Sequence, residues 1–246
     1  MIRAFRCDLH MHTCLSPCAG LDMYPSALVG RAVAEKLDVI AICDHNASEN
    51  VPYVIRAARG SGLVVLPGME ITSLEEVHLL ALFDQTDCLQ RLQEVVYSHL
   101  HGENDETRFG CQAIVNELDE VEGFNNKLLI GSTELALSEL VRHVHNLGGI
   151  AIASHIDRES FSVISQLGFV DPEIPFDAME ISGRTGLAGA RKRYPELAGY
   201  PFLTSSDAHQ IEEIGSGYME IFLEEPSVQE LKMAFSGQGG RRIAVF

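Results

Sequence analysis

The chain has 246 residues, of which 46% are hydrophobic and 22% are charged, and a chain of this size and composition can bury a large core. Eighteen Lys and Arg residues against 35 Asp and Glu residues give a net charge of -17. We therefore expect no general nucleic-acid binding and no membrane partner, because both need clustered cations.

Short β-branched runs alternate with helical stretches along the chain. The pattern predicts strands at residues 4–9, 39–43, 63–67, 77–83, 150–154, 178–182, 202–205 and 218–223. It predicts helices at residues 25–36, 51–59, 88–100, 134–147, 160–167 and 228–235. Strands that alternate with helices indicate parallel βαβ units, and seven or eight such units suggest a closed α/β barrel.

Residues 101–130 do not follow this alternation, because the segment is polar and only weakly periodic. Its apolar residues, such as Phe109 and Phe124, argue against disorder. We interpret the segment as an insertion, either a lid or a small subdomain, within one domain that spans residues 1–246.

Most of the polar residues that can carry chemistry follow a predicted strand. They are His10, His12, Asp44, His45, Glu70, His155, Asp207 and His209, while His78 opens the fourth strand. The carboxyl ends of barrel strands share one face, so these side chains should converge. His78 fits only if its strand runs against the preceding one. Imidazoles and carboxylates in this proportion suit Zn²⁺, Mn²⁺ or Fe²⁺, and Glu70 is the candidate to bridge two ions.

Each motif taken alone has an ordinary explanation. A His-X-His pair is usually structural or on the surface, an Asp-His pair can cap a helix, and a Glu after a Gly can begin a turn. The metal-site hypothesis depends on all of them falling at predicted strand ends.

Together these motifs resemble the PHP (polymerase and histidinol phosphatase) domain family. The matching stretches are Asp8-Leu9-His10-Met11-His12-Thr13, Asp44-His45-Asn46, Glu70, His78, His155 and Asp207-Ala208-His209. The resemblance implies a distorted (β/α)7 TIM-like barrel with two or three divalent metal ions at the carboxyl ends of its strands. It also implies hydrolysis of phosphoesters.

The resemblance further implies a role for each residue. One metal would be held by His10, His12, Glu70 and Asp207, a second by Glu70, His78 and His155, and a third by His45, His209 and one further ligand. Asp8 and Asp44 would support these ligands without binding metal. Asp207, His209 and Glu70 are the candidate catalytic residues, with Asp207 or His209 moving a proton to or from the leaving oxygen. Arg158 and Arg184, which follow strand ends, are candidates to bind substrate phosphate or to form surface ion pairs.

The further ligand of the third metal departs from the family pattern. Pro17 and Cys18 stand where the family usually has an Asp or a His. A Cys18 thiolate can bind a soft metal ion, and a buried structural thiol is the alternative.

The leading functional prediction is a metal-dependent phosphoesterase that hydrolyses a small phosphomonoester or a nucleotide. An exonuclease acting on oligonucleotide ends is the alternative enzyme, and a non-catalytic metal-binding regulatory module is the alternative from another class. The expected partner is a small phosphorylated substrate. Since the first eight residues hold no apolar signal-peptide core, we expect a cytoplasmic protein.

Overall fold

The computed structural model describes residues 1–244, which form a mixed α/β fold around a curled nine-stranded sheet. The strands are β1 (Arg3–Met11), β2 (Val39–Ile42), β3 (Val64–Thr72), β4 (His78–Leu82), β5 (Ala113–Val115), β6 (Val121–Phe124), β7 (Ile150–Ala153), β8 (Ala178–Ser182), β9 (Phe202–Ser205), β10 (Met219–Leu223) and β11 (Arg242–Ile243). The helices are α1 (Pro25–Ala34), α2 (Val51–Ala57), α3 (Thr86–His99), α4 (Glu106–Phe109), α5 (Leu137–Asn146), α6 (Val163–Leu167), α7 (Gly186–Arg193) and α8 (Val228–Phe235). In this described part of the chain, no helix combines the length and apolar character needed to cross a lipid bilayer.

The strand order in the large sheet is β11-β10-β1-β2-β3-β4-β7-β8-β9. The pairs β1–β2, β2–β3, β7–β8 and β8–β9 are parallel, as βαβ units require. By contrast, β4 is antiparallel to both of its neighbours, and β10 is antiparallel to β1. The expected parallel βαβ units are therefore present in part of the sheet, which is consistent with a TIM-like fold, while the (β/α)7 count of the barrel stays a prediction. The reversal of β4 places His78 opposite Thr72, which is the condition that the sequence set for His78 to join the other polar residues.

The two ends of the parallel region meet where β1 and β9 end. The Asp207 amide donates to the His10 carbonyl at 2.9 Å, and the His12 amide donates to the Ala208 carbonyl at 3.0 Å. These backbone bonds bring the segment that follows β9 beside the end of β1.

Alternating residues of the strands pack into two separate cores. In β2, Ile40 and Ile42 face the core shared with α1, α2, α3 and α5, whereas Val39 and Ala41 face an inner core. Because both faces of β2 are covered, the strand reads as a continuous apolar run. Helix α8 contributes Val228 and Leu231 to the inner core.

A β-bulge in β1 interrupts the alternation of its side chains next to His10. Asp8 and Met11 are three positions apart in the pairing with β2, while their partners Ile40 and Ile42 are only two apart. Leu9 packs in the inner core and Met11 in the outer one, so the extra residue breaks the alternation. His10, which lies between them, is completely buried and faces Glu180 of β8, whose carboxylate is 3.0 Å from His10 Nδ1.

The segment 101–130 folds as the short helix α4 followed by the hairpin of β5 and β6. Asn50 fastens the hairpin to the barrel, since its side chain donates to the Ala113 carbonyl at 3.1 Å and accepts from the Val115 amide at 3.0 Å. Phe109 and Phe124 remain 41% and 52% exposed. The segment is an ordered excursion, and its role as a lid stays a prediction.

Candidate metal centre

Eight of the residues singled out in the sequence come together at one mouth of the curled sheet. They are His10 and His12 near the end of β1, His45 after β2, Glu70 in β3, His78 at the start of β4, His155 after β7, and Asp207 and His209 after β9. All are buried except His209, whose side chain is 24% exposed. Residues from six strands are therefore concentrated in one place.

Glu70 lies at the centre of this cluster. Its Oε1 atom is 3.0 Å from His78 Nδ1, 3.2 Å from His155 Nε2 and 3.5 Å from His10 Nε2. Its other oxygen, Oε2, lies 3.2 Å from His45 Nδ1. One carboxylate thus faces imidazoles on both of its oxygens, which is the arrangement expected of a residue shared between two ions.

Asp207 completes a second group with the His-X-His pair. Its Oδ1 atom lies 3.2 Å from His10 Nε2 and 3.1 Å from His12 Nε2, and the two imidazole nitrogens are 3.1 Å apart. The spacing of two residues turns both rings to one side of the chain, as the sequence predicted.

The geometry forms three sets of donor atoms that can each surround an ion. They are His10, His12, Glu70 and Asp207; His45, Glu70 and His78; and His12, His45 and His209. The first set is the predicted one, the second has His45 where His155 was predicted, and His12 completes the third. His155 contacts the second set through Glu70 Oε1. Three of their atoms, His45 Nδ1, His78 Nδ1 and Glu70 Oε1, are buried without a hydrogen-bond partner. Buried polar atoms that converge in this way without hydrogen-bond partners would be satisfied by a bound cation. The residues therefore fit divalent metal ions held by nitrogen and oxygen donors.

Mutual interactions shift the pKa values within the cluster. Burial opposes ionisation of Glu70, but His78 and His10 hold its pKa well below the ordinary value. Burial also opposes ionisation of Asp207, yet His10 and His12 lower its pKa as well. Burial and the neighbouring His209 lower the pKa of His12 to about 4. The two acids thus favour the carboxylate form and His12 the neutral form, which are the forms that bind metal. Burial lowers the pKa of His10, but Glu180, Asp207 and Glu70 raise it above its ordinary value.

Glu180 is a functional residue that the sequence analysis missed. Its carboxylate oxygens lie 3.0 and 3.1 Å from His10 Nδ1, and one of them accepts the His155 amide at 3.0 Å. A carboxylate on one ring nitrogen fixes the tautomer that directs the other nitrogen at a metal. The available signal was an acidic residue inside the apolar strand Ala-Met-Glu-Ile-Ser.

Asp44 supports the cluster through hydroxyl groups. It accepts the Thr13 hydroxyl at 2.8 Å and the Ser16 hydroxyl at 2.6 Å, and Ser16 Oγ lies 3.0 Å from His12 Nδ1. Burial raises the pKa of Asp44 to about 6, although these hydrogen bonds oppose the shift. Asp44 thus acts on His12 through Ser16.

Asp8 supports the backbone rather than an imidazole. Its two oxygens accept the amides of Ser206 at 2.9 Å and Gly215 at 3.0 Å. Burial raises its pKa to about 6. These bonds hold the segment that carries Asp207 against β1.

Three residues at the strand ends adopt left-handed backbone conformations. Asn46, His155 and Asp207 have φ values of 50°, 27° and 51°. Such values are uncommon for residues other than glycine and cluster at functional sites. Here they turn the chain sharply where it leaves β2, β7 and β9.

A cleft of about 200 Å³ opens over the cluster, and Arg158 and Cys18 are among its lining residues. Arg158 is 41% exposed and forms an ion pair with Asp207 Oδ2 at 2.5 Å. Cys18 is exposed and belongs to none of the three donor sets in residues 1–244. Arg184 lies outside this cleft and lines a neighbouring one. The roles of these three residues in binding metal or phosphate stay predictions.

Comparison with known proteins gives the chain its family. The family model described as PHP domain matches residues 8–163, which is more than half of the chain. The chain belongs to the PHP domain family. A second model, described as PHP-associated, matches residues 191–236 and so includes Asp207 and His209. The family resemblance stated from the motifs is thereby confirmed.

Three curated relatives match part of this PHP chain. An uncharacterized protein YqxK from Bacillus subtilis is 33% identical over 42% of the chain. A 5'-3' exoribonuclease from Haemophilus influenzae is 35% identical over 32% of it, and the 5'-3' exoribonuclease Rnm from Salmonella typhimurium is 36% identical over 30%. The matched segments span only 28%, 29% and 26% of those proteins.

Solved structures share the fold of this PHP protein at low sequence identity. The lesion-specific endonuclease EndoQ from Pyrococcus furiosus matches with a TM-score of 0.78 and 15% identity, covering 98% of this chain and 58% of that one. An endonuclease Q complex with a 27-mer duplex that has an abasic lesion at the active site gives a TM-score of 0.75 at 17% identity, with coverage of 98% and 58%. A putative metal-dependent phosphoesterase from Bifidobacterium adolescentis gives 0.55 at 19% identity, with coverage of 82% and 87%.

The expectation of a small phosphorylated substrate without nucleic-acid binding is wrong. The exoribonucleases and the endonuclease Q complex with duplex DNA point instead to nucleic-acid substrates. The net charge of -17 led to the wrong expectation about nucleic-acid binding, because a net charge is summed over the whole chain and does not describe one site. Bound divalent ions would add positive charge locally, which the net charge of the whole chain does not reveal.

Proposed function

We propose that this protein is a metal-dependent nuclease that hydrolyses phosphodiester bonds at an end of a nucleic-acid strand. The observation that carries the proposal is the buried cluster around Glu70, whose unpartnered donor atoms lie beneath an open cleft. The relatives named 5'-3' exoribonuclease support the choice of substrate and of a chain end.

The proposal assigns two or three divalent ions to the three donor sets described above. When bound, such ions polarise a phosphoryl oxygen and lower the pKa of water. Asp207 stays ionised, because His10 and His12 hold its pKa low, so it does not donate a proton near pH 7. When ions occupy only the two sets that contain Glu70, His209 is better suited to move the proton, since its Nδ1 lies 2.8 Å from the Asp207 carbonyl and its Nε2 is then free of metal.

An aromatic side chain at the rim of the metal cleft is an argument for a nucleotide substrate. Phe161 is 38% exposed, and its ring stacks on that of His78 with centroids 4.6 Å apart. Its φ of 56° is rare for a bulky residue, and its carbonyl accepts the His78 amide at 2.9 Å. A partly exposed aromatic ring beside a metal site offers a surface on which a nucleobase can stack.

An endonuclease is the second candidate. Its support is the likeness to the EndoQ structures, which covers 98% of this chain. An exonuclease and an endonuclease use the same hydrolytic centre and differ in whether a free strand end is required.

Closed and open substrates separate these two candidates. A labelled linear RNA, its circularised form and the DNA equivalents are incubated with chelated protein before and after Mn²⁺ or Zn²⁺ is added. The proposal expects metal-dependent shortening of the linear strand from one end, with release of mononucleotides, and an intact circle. Cleavage of the circle would favour the endonuclease, and equal activity before and after metal addition would refute the metal centre.

A pair of histidine variants tests whether the site is catalytic. His155→Ala removes a side chain 3.2 Å from Glu70, whereas His101→Ala removes an exposed histidine that pairs with Glu134. We expect His155→Ala to lose metal and activity together and His101→Ala to keep both. If His155→Ala loses metal while the wild-type protein cleaves none of the substrates, the regulatory-module alternative is favoured.

A further inference from the structure

A second cleft, of about 510 Å³, opens beside the metal cleft, and Arg158 lines both. Its lining consists of two arginines, four serines, two glycines and one acid: Arg158, Arg184, Ser182, Ser205, Ser206, Ser216, Gly183, Gly217 and Glu213. We call this second cleft the serine groove. Guanidinium groups, hydroxyls and backbone amides are the groups that proteins use to hold nucleic-acid phosphates.

The loop that carries Arg184 is held in place by Asp157. This carboxylate accepts the Ser182 amide at 2.9 Å and the hydroxyls of Ser182 and Thr185 at 2.5 Å each. Burial opposes its ionisation, but these bonds keep the pKa of Asp157 below the ordinary value. The loop is therefore ordered around a carboxylate whose charge is already satisfied by donors.

The positive charge of Arg184 is available to a ligand, whereas Arg158 already pairs with Asp207. In the described part of the chain, Arg184 is exposed and has no carboxylate within 4.0 Å. Glu213 opposes an anion, but its Oε2 atom accepts the amides of His209 at 2.8 Å and Gln210 at 3.1 Å. These two hydrogen bonds hold the Glu213 carboxylate against the neighbouring backbone amides.

Two glycines shape the groove for close approach to the backbone. A Cβ atom on Gly183 would lie 4.0 Å from the Gly217 Cα, so no side chain separates these two segments. Gly217 itself packs so tightly that a Cβ atom would lie 2.2 Å from the Ser205 carbonyl oxygen. At these two glycines the surface of the serine groove is formed by backbone atoms alone.

We propose that the serine groove binds the phosphodiester next to the one hydrolysed at the metal centre. Arg158 lies between the two clefts, and Arg184 holds the second phosphate. The inference rests on the proposed nuclease function and deepens it, since it makes the substrate a strand with at least two consecutive phosphates. A mononucleotide would leave the groove empty.

Substrates with one and with several phosphodiesters test this subsite. We compare kcat and KM for a pentanucleotide and for a dinucleoside monophosphate with wild-type protein, Arg184→Ala, Arg184→Lys and the control Arg191→Ala. Arg191 is an exposed arginine on α7 that lies outside both clefts. Unchanged thermal unfolding of each variant confirms that the comparison reports on binding.

We expect Arg184→Ala to lose about tenfold more kcat/KM on the pentanucleotide than on the dinucleoside monophosphate, through KM. The slope of log KM against log salt should fall by about 0.7, the contribution of one phosphate contact on a single strand. Arg184→Lys should lose less, and Arg191→Ala should match wild type on both substrates. Equal losses on the two substrates, or no loss, would overturn the subsite while wild-type cleavage upholds the nuclease. If wild-type protein cleaves neither substrate, the proposed function fails and the subsite fails with it.

Discussion

The contact between Glu180 and His10 predicts that a side chain without access to the cleft sets the metal affinity. Glu180→Gln keeps the size of the side chain and removes the charge that faces His10 Nδ1 at 3.0 and 3.1 Å. The glutamine oxygen can still accept the His155 amide, so the loss falls mainly on His10. Both side chains are almost completely buried, so solvent screens the interaction little.

The size of the effect follows from the kind of contact. Removing the carboxylate behind a metal-binding histidine typically weakens metal binding by about 10- to 100-fold, or about 1.4 to 2.8 kcal/mol. We expect the Kd for Mn²⁺ or Zn²⁺, measured by competition with a chromophoric chelator, to rise within this range. The metal concentration needed for half-maximal activity should rise in parallel.

Glu230→Gln is the matched control. Glu230 is also a buried glutamate, but it lies in α8, away from the cluster, and bonds Arg241 at 2.9 and 3.0 Å. This variant should lose stability in thermal unfolding and keep the wild-type metal affinity. Equal metal affinities for Glu180→Gln and wild type would refute the role given to Glu180, as would an equal loss in Glu230→Gln.

Four further measurements test other parts of the structure. Phe161→Ala should raise KM for an oligonucleotide by roughly tenfold, and Phe161→Leu should raise it by less. Neither variant should change KM for a substrate that has an abasic end. Equal effects on both substrates would contradict base stacking. Gly217→Ala should lower the free energy of unfolding, measured with denaturant, by about 1–3 kcal/mol, because the added Cβ would meet the backbone of β9. The control Gly123→Ala should lower it far less, because Gly123 has open space around it. Iodoacetamide followed by mass spectrometry should label the exposed Cys18 with or without metal and leave Cys43 unlabelled, because the side chain of Cys43 is completely buried. Burial raises the pKa of both thiols, so access to the reagent and not acidity separates them. Protection of Cys18 by metal would instead make it a ligand. Mn²⁺ at about one hundred times its Kd should raise the free energy of unfolding by about 2.7 kcal/mol relative to protein in EDTA. Equal Tm values in EDTA and in Mn²⁺ would contradict the donor sets.

Local patterns in the sequence were enough to locate the elements that build the site. The eight predicted strands are all present, because buried strands read as apolar runs between turn residues. The polar residues at their ends could be selected without coordinates, since the carboxyl ends of barrel strands share one face. Helices α4 and α7 and strands β5, β6 and β11 were not predicted, because each is short and carries little periodic signal.

Tertiary structure decided everything that depends on which distant segments meet. The bulge in β1 next to His10 is visible only in the pairing with β2. Glu180 is 170 residues from His10 in the chain, and nothing local to Ala-Met-Glu-Ile-Ser says which imidazole it faces. The sequence by itself therefore determined the family and the candidate ligands, because their residue types and spacing are local. How Glu180 supports His10, and where a serine groove adjoins the metal cleft, followed only from the folded chain.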